Sequence, residues 1–187
     1  MKQASLLALT ISLILLSGCA KSEKCEAKYT DWKSGCLSLE EHEIKADVSA
    51  TDEERVCDYT LLYKSNTDGE SIEVLAPEQI AQVKAEIRSG ETRLSYDGAV
   101  LDTGSALTGQ FSPLMALPTF MKIIKDGHLE NSWTEDNKGT EMLVSELEMP
   151  DGAHMTFWQR SSDMTPVYAE MRSGDAVQIK ITITEFK

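Results

Sequence analysis

Alternating apolar and polar residues fill most of the chain from residue 40 to the C terminus. In the first such run, every second residue from His42 to Ala50 lies on one face, and the intervening polar residues lie on the other. This period of two places one set of side chains on each face of a β-strand, so the runs predict strands that are buried on one side. Turn residues separate the runs, most clearly Asn66-Thr67-Asp68-Gly69. The predicted strands are 42–50, 57–63, 71–76, 81–88, 92–96, 99–102, 128–134, 141–148, 153–158, 166–172 and 176–186.

One segment breaks the strand pattern and predicts a helix. Ser112 and Pro113 are a typical N-cap and first helical residue, and Asp126-Gly127 is a typical helix end. Apolar residues cover nearly all sides of this helix, so we expect it to be buried, with a kink or a break into two short helices at Pro118. Eight or more strands in meander order with one inserted helix predict a mainly β (α+β) fold. In this fold a strongly curved antiparallel sheet wraps around that helix.

The N-terminal residues are patterned differently from the rest. Lys2 precedes an uninterrupted run of apolar or small residues, Ala4 to Leu16, which is too short to span a bilayer comfortably and predicts a signal peptide. The run ends in Leu16-Ser17-Gly18-Cys19, which resembles the lipobox of bacterial lipoproteins. The resemblance implies a diacylglyceryl group on Cys19 and cleavage between Gly18 and Cys19. The alternative is an ordinary secretory signal, with no lipid on Cys19. If Cys19 carries the diacylglyceryl group, its two acyl chains would anchor the protein stably to a membrane.

This interpretation divides the chain into a signal peptide (1–18), an acylated cysteine with a tether (19–39) and one folded domain (40–187). The tether is polar, mixed in charge and nearly aperiodic, so we expect it to be at most briefly helical near Tyr29 and Trp32. The mature protein would be extracytoplasmic. Its lipid would hold it in the outer leaflet of the cell membrane, or in the outer membrane if the host is Gram-negative.

Three cysteines remain when Cys19 is acylated, which is an odd number for an extracytoplasmic protein. One disulfide with one free thiol is an acceptable arrangement, and so is no disulfide. We favour a Cys25–Cys36 disulfide, because both residues lie in the predicted tether. Cys57 lies on the apolar face of a predicted strand, and we expect it to be a small buried hydrophobic residue.

Composition and motifs argue against several functions. The formal net charge of −13 disfavours nucleic acid and flat contact with anionic lipid headgroups. His42, His128 and His154 lack the spacing of metal ligands, and the sequence has no Cys-x-x-Cys. Asp102-Thr103-Gly104-Ser105 matches the string of aspartic proteases, but in a single copy that we interpret as a turn. With no nucleophile–base pair apparent, we predict a protein that is not an enzyme and uses neither a metal nor another cofactor.

Several stretches of the folded domain resemble the LolA-like superfamily of envelope proteins, which includes RseB-like sensor domains. The segment from Asp163 to Met171, followed by a glycine turn and a strand ending at Phe186, is similar to the closing strands of that superfamily. Leu75-Ala76-Pro77-Glu78, the Gly98 turn and the helix start at Ser112-Pro113 resemble it too. The resemblance implies an open half-barrel with a helix closing the concave face, which in known members holds acyl chains or apolar peptides.

Two departures from that superfamily limit the comparison. The LolA carrier is soluble, whereas this chain has the pattern of a lipoprotein, so shuttling between membranes is not expected. The arginine of the carriers has no assigned position here, because Arg55, Arg88 and Arg93 are unaligned alternatives.

The apolar helix and the strand residues facing it are the remaining candidates for function. They form either an ordinary core or one wall of an open hydrophobic cleft, and flexible methionines favour the cleft. Our hypothesis is a non-enzymatic lipoprotein that binds a lipid or other hydrophobic ligand. The alternative is an envelope sensor or protein-interaction module whose partner is an envelope protein. The candidate cleft residues are Leu94, Tyr96, Leu114, Met115, Leu117, Phe120, Met121 and Ile124.

Overall fold

The computed structural model describes residues 22–52, 55–104, 112–174 and 176–187. Its main feature is one antiparallel sheet of eleven strands, in the order β6-β5-β4-β3-β2-β1-β11-β10-β9-β8-β7. This confirms the predicted fold class, a curved antiparallel sheet that remains open and carries a buried helix on its concave face. The strands are β1 His42–Asp52, β2 Arg55–Asn66, β3 Gly69–Ala76, β4 Lys84–Arg88, β5 Glu91–Tyr96, β6 Ala99–Gly104, β7 His128–Asn137, β8 Thr140–Glu148, β9 His154–Arg160, β10 Pro166–Ser173 and β11 Ala176–Phe186.

The first and last strands of the sequence meet at the centre of the sheet. Strand β1 pairs with its sequence neighbour β2 on one side and with β11 on the other, and Val48 lies opposite both Tyr59 and Ile181. From this seam each half of the chain runs outward as a meander to an edge strand, β6 or β7. Local hairpins therefore build both halves, and one long-range pairing joins them.

Short turns connect the strands where turn residues predicted them. Asp97 and Gly98 both have positive φ, at 47° and 78°, which is the backbone of a type I′ turn and suits the right-handed twist of the flanking strands. Asp102-Thr103-Gly104 does not form the turn that we expected, because these residues continue strand β6. Ser105 lies outside the described residues.

Strand β4 is shorter than the alternation of apolar residues suggests. Its predicted first residues, from Ala81 to Val83, follow a 3₁₀ helix at Glu78–Ile80 and precede the strand, which begins at Lys84. Gln82 takes φ = 74°, a left-handed conformation that interrupts an extended chain. Its backbone N–H donates to the Val74 carbonyl. Tertiary hydrogen bonding thus overrides the local pattern here.

The predicted apolar helix is present and buried. A 3₁₀ turn at Pro113–Met115 leads directly into helix α2, Ala116–Asp126. Our expectation of a kink or a break at Pro118 is wrong. Pro118 lies in the first turn of α2, where a backbone N–H has no partner within the helix, so the proline removes no helical hydrogen bond.

The predicted tether contains a second helix. Residues 22–37 are helical, and we name this helix α1. Cys25, Tyr29 and Cys36 are buried in the core, and Trp32 packs against Phe157, with ring centroids 5.3 Å apart. Because α1 covers part of the concave face beside α2, the described part of this segment belongs to the folded domain and is not a free linker.

Helix α1 also rules out the predicted disulfide. Cys25 and Cys36 both carry free thiols. Eleven residues separate them along one helix, which places their Cα atoms about 16 Å apart. A disulfide requires a Cα separation below about 7 Å. The expectation for Cys57 is wrong as well, because Cys57 is exposed at the start of β2, where four successive residues are exposed.

The core lies between the concave face and the two helices. Phe120 of α2 meets Phe157 of β9 edge to face, with ring centroids 5.3 Å apart. The alternate residues of β1 and β11 that the sequence placed inward are buried, as Ile44 and Ile181 illustrate with no exposed surface. Among the described residues, neither helix combines the length and the apolar character needed to cross a membrane.

Candidate functional site

A groove of about 850 Å³ opens beside helix α2. Its walls come from α2, from the β2–β3 hairpin around Gly69, from the β4–β5 turn and from the segment between β8 and β9. The end of α1 closes the groove on one side through Leu37 and Leu39, both of which are exposed.

Only two of the eight candidate cleft residues line this groove, Met115 and Met121. Three others have no exposed surface and belong to the core: Leu117, Phe120 and Ile124. Leu94 and Leu114 are half-buried against that core, and Tyr96 is 50% exposed on β5. Period and residue type gave no way to separate these roles, because α2 is apolar on nearly every side and only packing decides which side meets the sheet.

The apolar wall of the groove is rich in methionine. Met115 from the 3₁₀ turn, Met121 from α2 and Met149, which follows β8, all line the groove, and Ile123 and Ile87 also contribute. Unbranched thioether side chains adapt their shape easily, so this wall suits an apolar ligand of variable outline. Met149, Leu37 and Leu39 also line the groove, although no periodic pattern in the sequence predicted them. The only signal for them was their position just outside a predicted strand or helix.

A hydrogen-bonded polar row on β1 and β2 also lines the groove, and we call this part of the lining its floor. His42 Nε2 lies 3.0 Å from the carbonyl oxygen of Cys36, and His42 Nδ1 lies 3.3 Å from Ser65 Oγ. When Nε2 donates a hydrogen bond to that carbonyl, Nδ1 is free to accept a hydrogen bond from the Ser65 hydroxyl. Cys36 lies in the last turn of α1, and its carbonyl also accepts from the Leu39 backbone amide over 3.2 Å. The histidine adds a second bond and ties the helix end to the sheet.

No nucleophile–base pair is apparent in the sequence, yet the fold brings Ser65 and His42 within hydrogen-bonding distance. The Ser65 hydroxyl also contacts the Tyr63 hydroxyl. The hydrogen-bonded network therefore extends from the end of α1 through His42 to Ser65, and Tyr63 lies beside it in the lining of the groove. It offers polar groups that can orient the head of a bound molecule.

Burial changes the acid–base behaviour of two neighbouring groups at this floor. It raises the pKa of the Glu70 carboxyl, although the Tyr63 hydroxyl donates to that carboxyl and Lys125 lies near it. Burial also raises the pKa of Tyr63, and the adjacent Glu70 adds to this shift. Desolvation disfavours the charged form of each group, so Tyr63 stays neutral and acts as a hydrogen-bond donor.

Charged side chains of both signs surround the mouth of the groove. Lys122 and Lys125 lie on the exposed side of α2, while Glu40, Asp68 and Asp151 lie across the opening. An apolar wall, a polar floor and a charged rim together suit an amphipathic ligand. The volume lies within the range of about 300–1,000 Å³ that is typical of ligand pockets.

The other candidate chemical groups lie apart from the groove. His128 and His154 are on the surface, each within 4 Å of a glutamate carboxylate, at 3.9 and 3.6 Å. Asp102 forms an exposed ion pair with Arg93, at 2.9 Å. Within the described ranges, no group of three or more histidine, cysteine or acidic side chains is arranged to hold a metal ion.

The fold of this chain is similar to the folds of several solved structures. No family model matches the chain, and no curated protein sequence matches it. A domain ascribed to an outer membrane lipoprotein-sorting protein from Vibrio parahaemolyticus has a TM-score of 0.52 and 10% identity, over 86% of this chain and 90% of that one. An uncharacterized conserved protein from Thermus thermophilus has a TM-score of 0.51 and 11% identity, over 87% and 86%.

A LolA superfamily protein from Nitrosomonas europaea also matches 80% of this chain and 86% of its own, at 11% identity, but its TM-score of 0.42 adds no weight. At such low identity the first two matches show the fold alone. They show that the chain shares its fold with these two proteins.

Proposed function

We propose that this protein is an extracytoplasmic lipoprotein, anchored through a diacylglyceryl group on Cys19, whose half-barrel binds an amphipathic lipid. The observation that carries the proposal is the open groove of about 850 Å³ between α2 and the sheet. An apolar chain would lie along Met115, Met121 and Met149. The polar head would reach the floor at His42 and Ser65.

The lipobox supports the anchored location, and the position of α1 refines it. The described part of α1 begins at residue 22, three residues after Cys19. Three residues reach at most about 10 Å, so the lipid would hold the domain close to the membrane surface. The membrane would be the outer leaflet of the cell membrane, or the outer membrane of a Gram-negative host. A protein held so close would take its ligand from the adjacent bilayer and would not carry it between membranes.

Blocking the groove tests the proposal. Thr119 is half-buried on α2 and lines the groove, so Thr119→Trp should fill it; exposed Thr140 on β8 offers Thr140→Trp as the matched control. We expect the full chain in mild detergent to bind dansyl-labelled undecanoic acid, Thr119→Trp to lose that binding and Thr140→Trp to keep it. Equal binding by all three proteins, or no binding by the unmodified protein, would refute lipid binding in this groove.

The anchor has its own test, which does not depend on the groove. In cells grown with radiolabelled palmitate, the unmodified chain should incorporate label and Cys19→Ser should not. Label that persists in Cys19→Ser would show that the chain is acylated at another residue.

A second candidate function, recognition of an envelope protein, rests on a different feature. Strand β6 is an edge of the sheet, and large apolar side chains lie exposed there: Val100 at 61%, Leu101 at 63% and nearby Tyr96 at 50%. An open edge strand of this kind can pair with an extended segment of another protein. A photo-crosslinking amino acid at Val100 should then capture one envelope protein in living cells. Absence of any adduct would leave lipid binding as the better proposal.

A further inference from the structure

The convex face of the sheet, opposite the two helices, carries a second depression of about 490 Å³. Asp47 and Tyr168 line it, and both alternate along their strands with core residues such as Ala46 and Ala169. Their side chains therefore point away from the groove. The depression and the groove lie on opposite faces of one sheet, so that both can be occupied at the same time.

The depression is the end of a continuous row of side chains that crosses the strands. Each member lies directly opposite the next on a neighbouring strand, beginning with aromatic and apolar residues and ending with polar ones. A row of this kind runs perpendicular to the strands, about 4.8 Å per step. In order across β7, β8, β9, β10, β11, β1 and β2, the row is Trp133, Val144, Trp158, Tyr168, Thr182, Asp47 and Thr60. Val144 has no exposed surface, so the continuously accessible part of the row begins at Trp158 and ends at Thr60.

The two central aromatic rings are held in fixed positions. The Trp158 and Tyr168 centroids are 5.3 Å apart at an interplanar angle of 53°. The Trp158 indole Nε1 donates to Glu135 over 2.7 Å, and the Tyr168 hydroxyl donates to Glu170 over 2.9 Å. Because the polar atoms at the ring edges already have partners, the half-exposed rings offer mainly apolar faces to a ligand.

The polar end of the depression has charged groups without ionic partners. Within the described ranges, none of Asp47, Asp58 and Lys180 lies within 4.0 Å of an opposite charge in an ion pair. Asp47 Oδ1 accepts one hydrogen bond, from Thr60 Oγ1 at 2.8 Å. The remaining carboxylate lone pairs and the ammonium protons can therefore bond to hydroxyl and amide groups of a ligand.

We propose that the accessible part of this row, from Trp158 to Thr60, binds an oligosaccharide chain laid across the strands of the convex face. The aliphatic face of a sugar ring carries weakly positive C–H bonds, which pack on the negative face of an aromatic ring such as Tyr168. Sugar hydroxyls donate to Asp47 and Asp58 and accept from Lys180. With two carboxylates beside one ammonium, the site suits a neutral or amino-sugar chain and disfavours an anionic one.

Binding of defined oligosaccharides to the full chain in mild detergent tests this proposal. The probes are the β-1,4-linked hexamers of N-acetylglucosamine and of glucose, and the readouts are tryptophan fluorescence and calorimetry. We expect at least one hexamer to bind at up to millimolar concentration. Asp58→Asn and Lys180→Gln should each weaken that binding about tenfold, because each removes a charge-assisted hydrogen bond. Tyr168→Ala should abolish it.

Two controls locate the binding. Asp31→Asn alters an exposed carboxylate on α1 and should bind the hexamer normally, as should the groove-blocking Thr119→Trp, which separates this site from lipid binding. Asp58 and Lys180 are exposed, so their variants are informative even if Tyr168→Ala fails to fold. The proposal is overturned if neither hexamer binds, or if Asp58→Asn and Lys180→Gln bind as tightly as the unmodified chain.

Discussion

Glu70 and Tyr63 lie side by side at the floor of the groove, and burial raises the pKa of both. Of the two groups, the carboxyl is the more acidic and loses its proton first as the pH rises. A carboxyl whose pKa is raised by folding stabilises the folded state while it is protonated, and this contribution is lost as the pH rises through its folded-state pKa. Glu70 therefore makes the protein less stable at neutral pH than an uncharged side chain of the same shape would.

Replacing Glu70 by glutamine tests this cost. Glu70→Gln removes the ionisation and leaves an amide oxygen that can still accept from Tyr63. We expect the free energy of unfolding of the variant to exceed that of the unmodified protein at neutral pH, with the difference shrinking toward acid pH. Urea unfolding at a series of pH values measures it. Asp31→Asn, which removes an exposed carboxylate, serves as the control. If the effect of Glu70→Gln on the free energy of unfolding did not depend on pH, this explanation would be wrong.

The cysteines give a second prediction at the scale of single residues. Cys57 is exposed, whereas Cys25 and Cys36 are buried, and burial raises the pKa of the Cys36 thiol to about 11. A thiol reagent at mildly alkaline pH should therefore modify Cys57 in the folded protein and spare the other two. In denaturant without reductant, all three should react. Peptide mass spectrometry distinguishes the sites, and a Cys25–Cys36 disulfide would leave only Cys57 reactive after unfolding.

At the scale of elements, helix α1 shows how a polar segment becomes part of a core. Its buried residues Cys25, Tyr29 and Cys36 and its half-buried residue Trp32 recur every three or four positions on one helical face, and half-buried Ser22 and Lys33 flank them. Trp32 is the centre of this stripe, since its ring lies near those of Tyr29, Phe157 and Phe186, with centroids 6.0, 5.3 and 6.2 Å away. Docking of α1 thus depends on one aromatic cluster.

Truncating this cluster should loosen α1 selectively. Trp32→Ala is expected to lower the free energy of unfolding by about 2 kcal/mol, in line with the loss of a large apolar side chain from a packed site. Amide hydrogens of 22–37 should exchange faster with solvent, while those of β1 and β11 remain protected. The neighbouring exposed residue supplies the control, Asp31→Ala. Uniformly faster exchange across the sheet would contradict selective loosening.

The β2–β3 hairpin gives a second prediction about elements. Gly69 has φ = 145°, and a Cβ atom there would lie 2.5 Å from the Ile87 carbonyl oxygen, so Gly69→Ala should destabilise the protein by about 1–3 kcal/mol. Gly35 lies in α1 with nothing within 4 Å of its ideal Cβ position, so Gly35→Ala should stabilise by roughly 0.5–1 kcal/mol. Chemical denaturation of both variants checks the opposite signs. A stabilising Gly69→Ala would show that the hairpin backbone relaxes away from Ile87.

At the scale of the whole molecule, stability depends on the seam where β1 meets β11. The seam extends to the C terminus, since the backbone amides of Glu43 and Lys187 each donate to the other's carbonyl over 2.9 Å. Because these strands come from opposite ends of the domain, neither half of the sheet is complete without the other. Unfolding should therefore be cooperative across both halves.

A substitution at the seam tests this cooperativity. Ile181 has no exposed surface, and Ile181→Ala should lower the free energy of unfolding by about 3 kcal/mol. Thr184→Ala on the same strand removes an exposed side chain that donates to the Lys45 carbonyl, and should cost about 1 kcal/mol or less. For Ile181→Ala, circular dichroism and tryptophan fluorescence should give one common transition. Separate transitions would show that the two halves unfold independently.

The predictions made from the sequence succeeded where the signal was local. Strand β1 and strand β11 alternate with a period of two, and Asp97-Gly98 specifies a two-residue turn, so their positions follow from nearby residues alone. The predictions failed where a distant contact decides the outcome. Cys25 and Cys36 seemed close in a linker, but the aromatic rings of β9 and β11 dock Trp32 and thereby favour a helix, which separates the two thiols.

The sequence by itself determined the mainly β character, the hairpins and the buried helix α2, because periodicity and turn residues act over a few neighbouring positions. Only the tertiary structure decided which side of α2 lines the groove, which polar residues form its floor, and which side chains share the row on the convex face. Each of these depends on the register between strands far apart in the chain. That register is fixed by the pairing of β1 with β11 and by the close packing of two helices on one concave face.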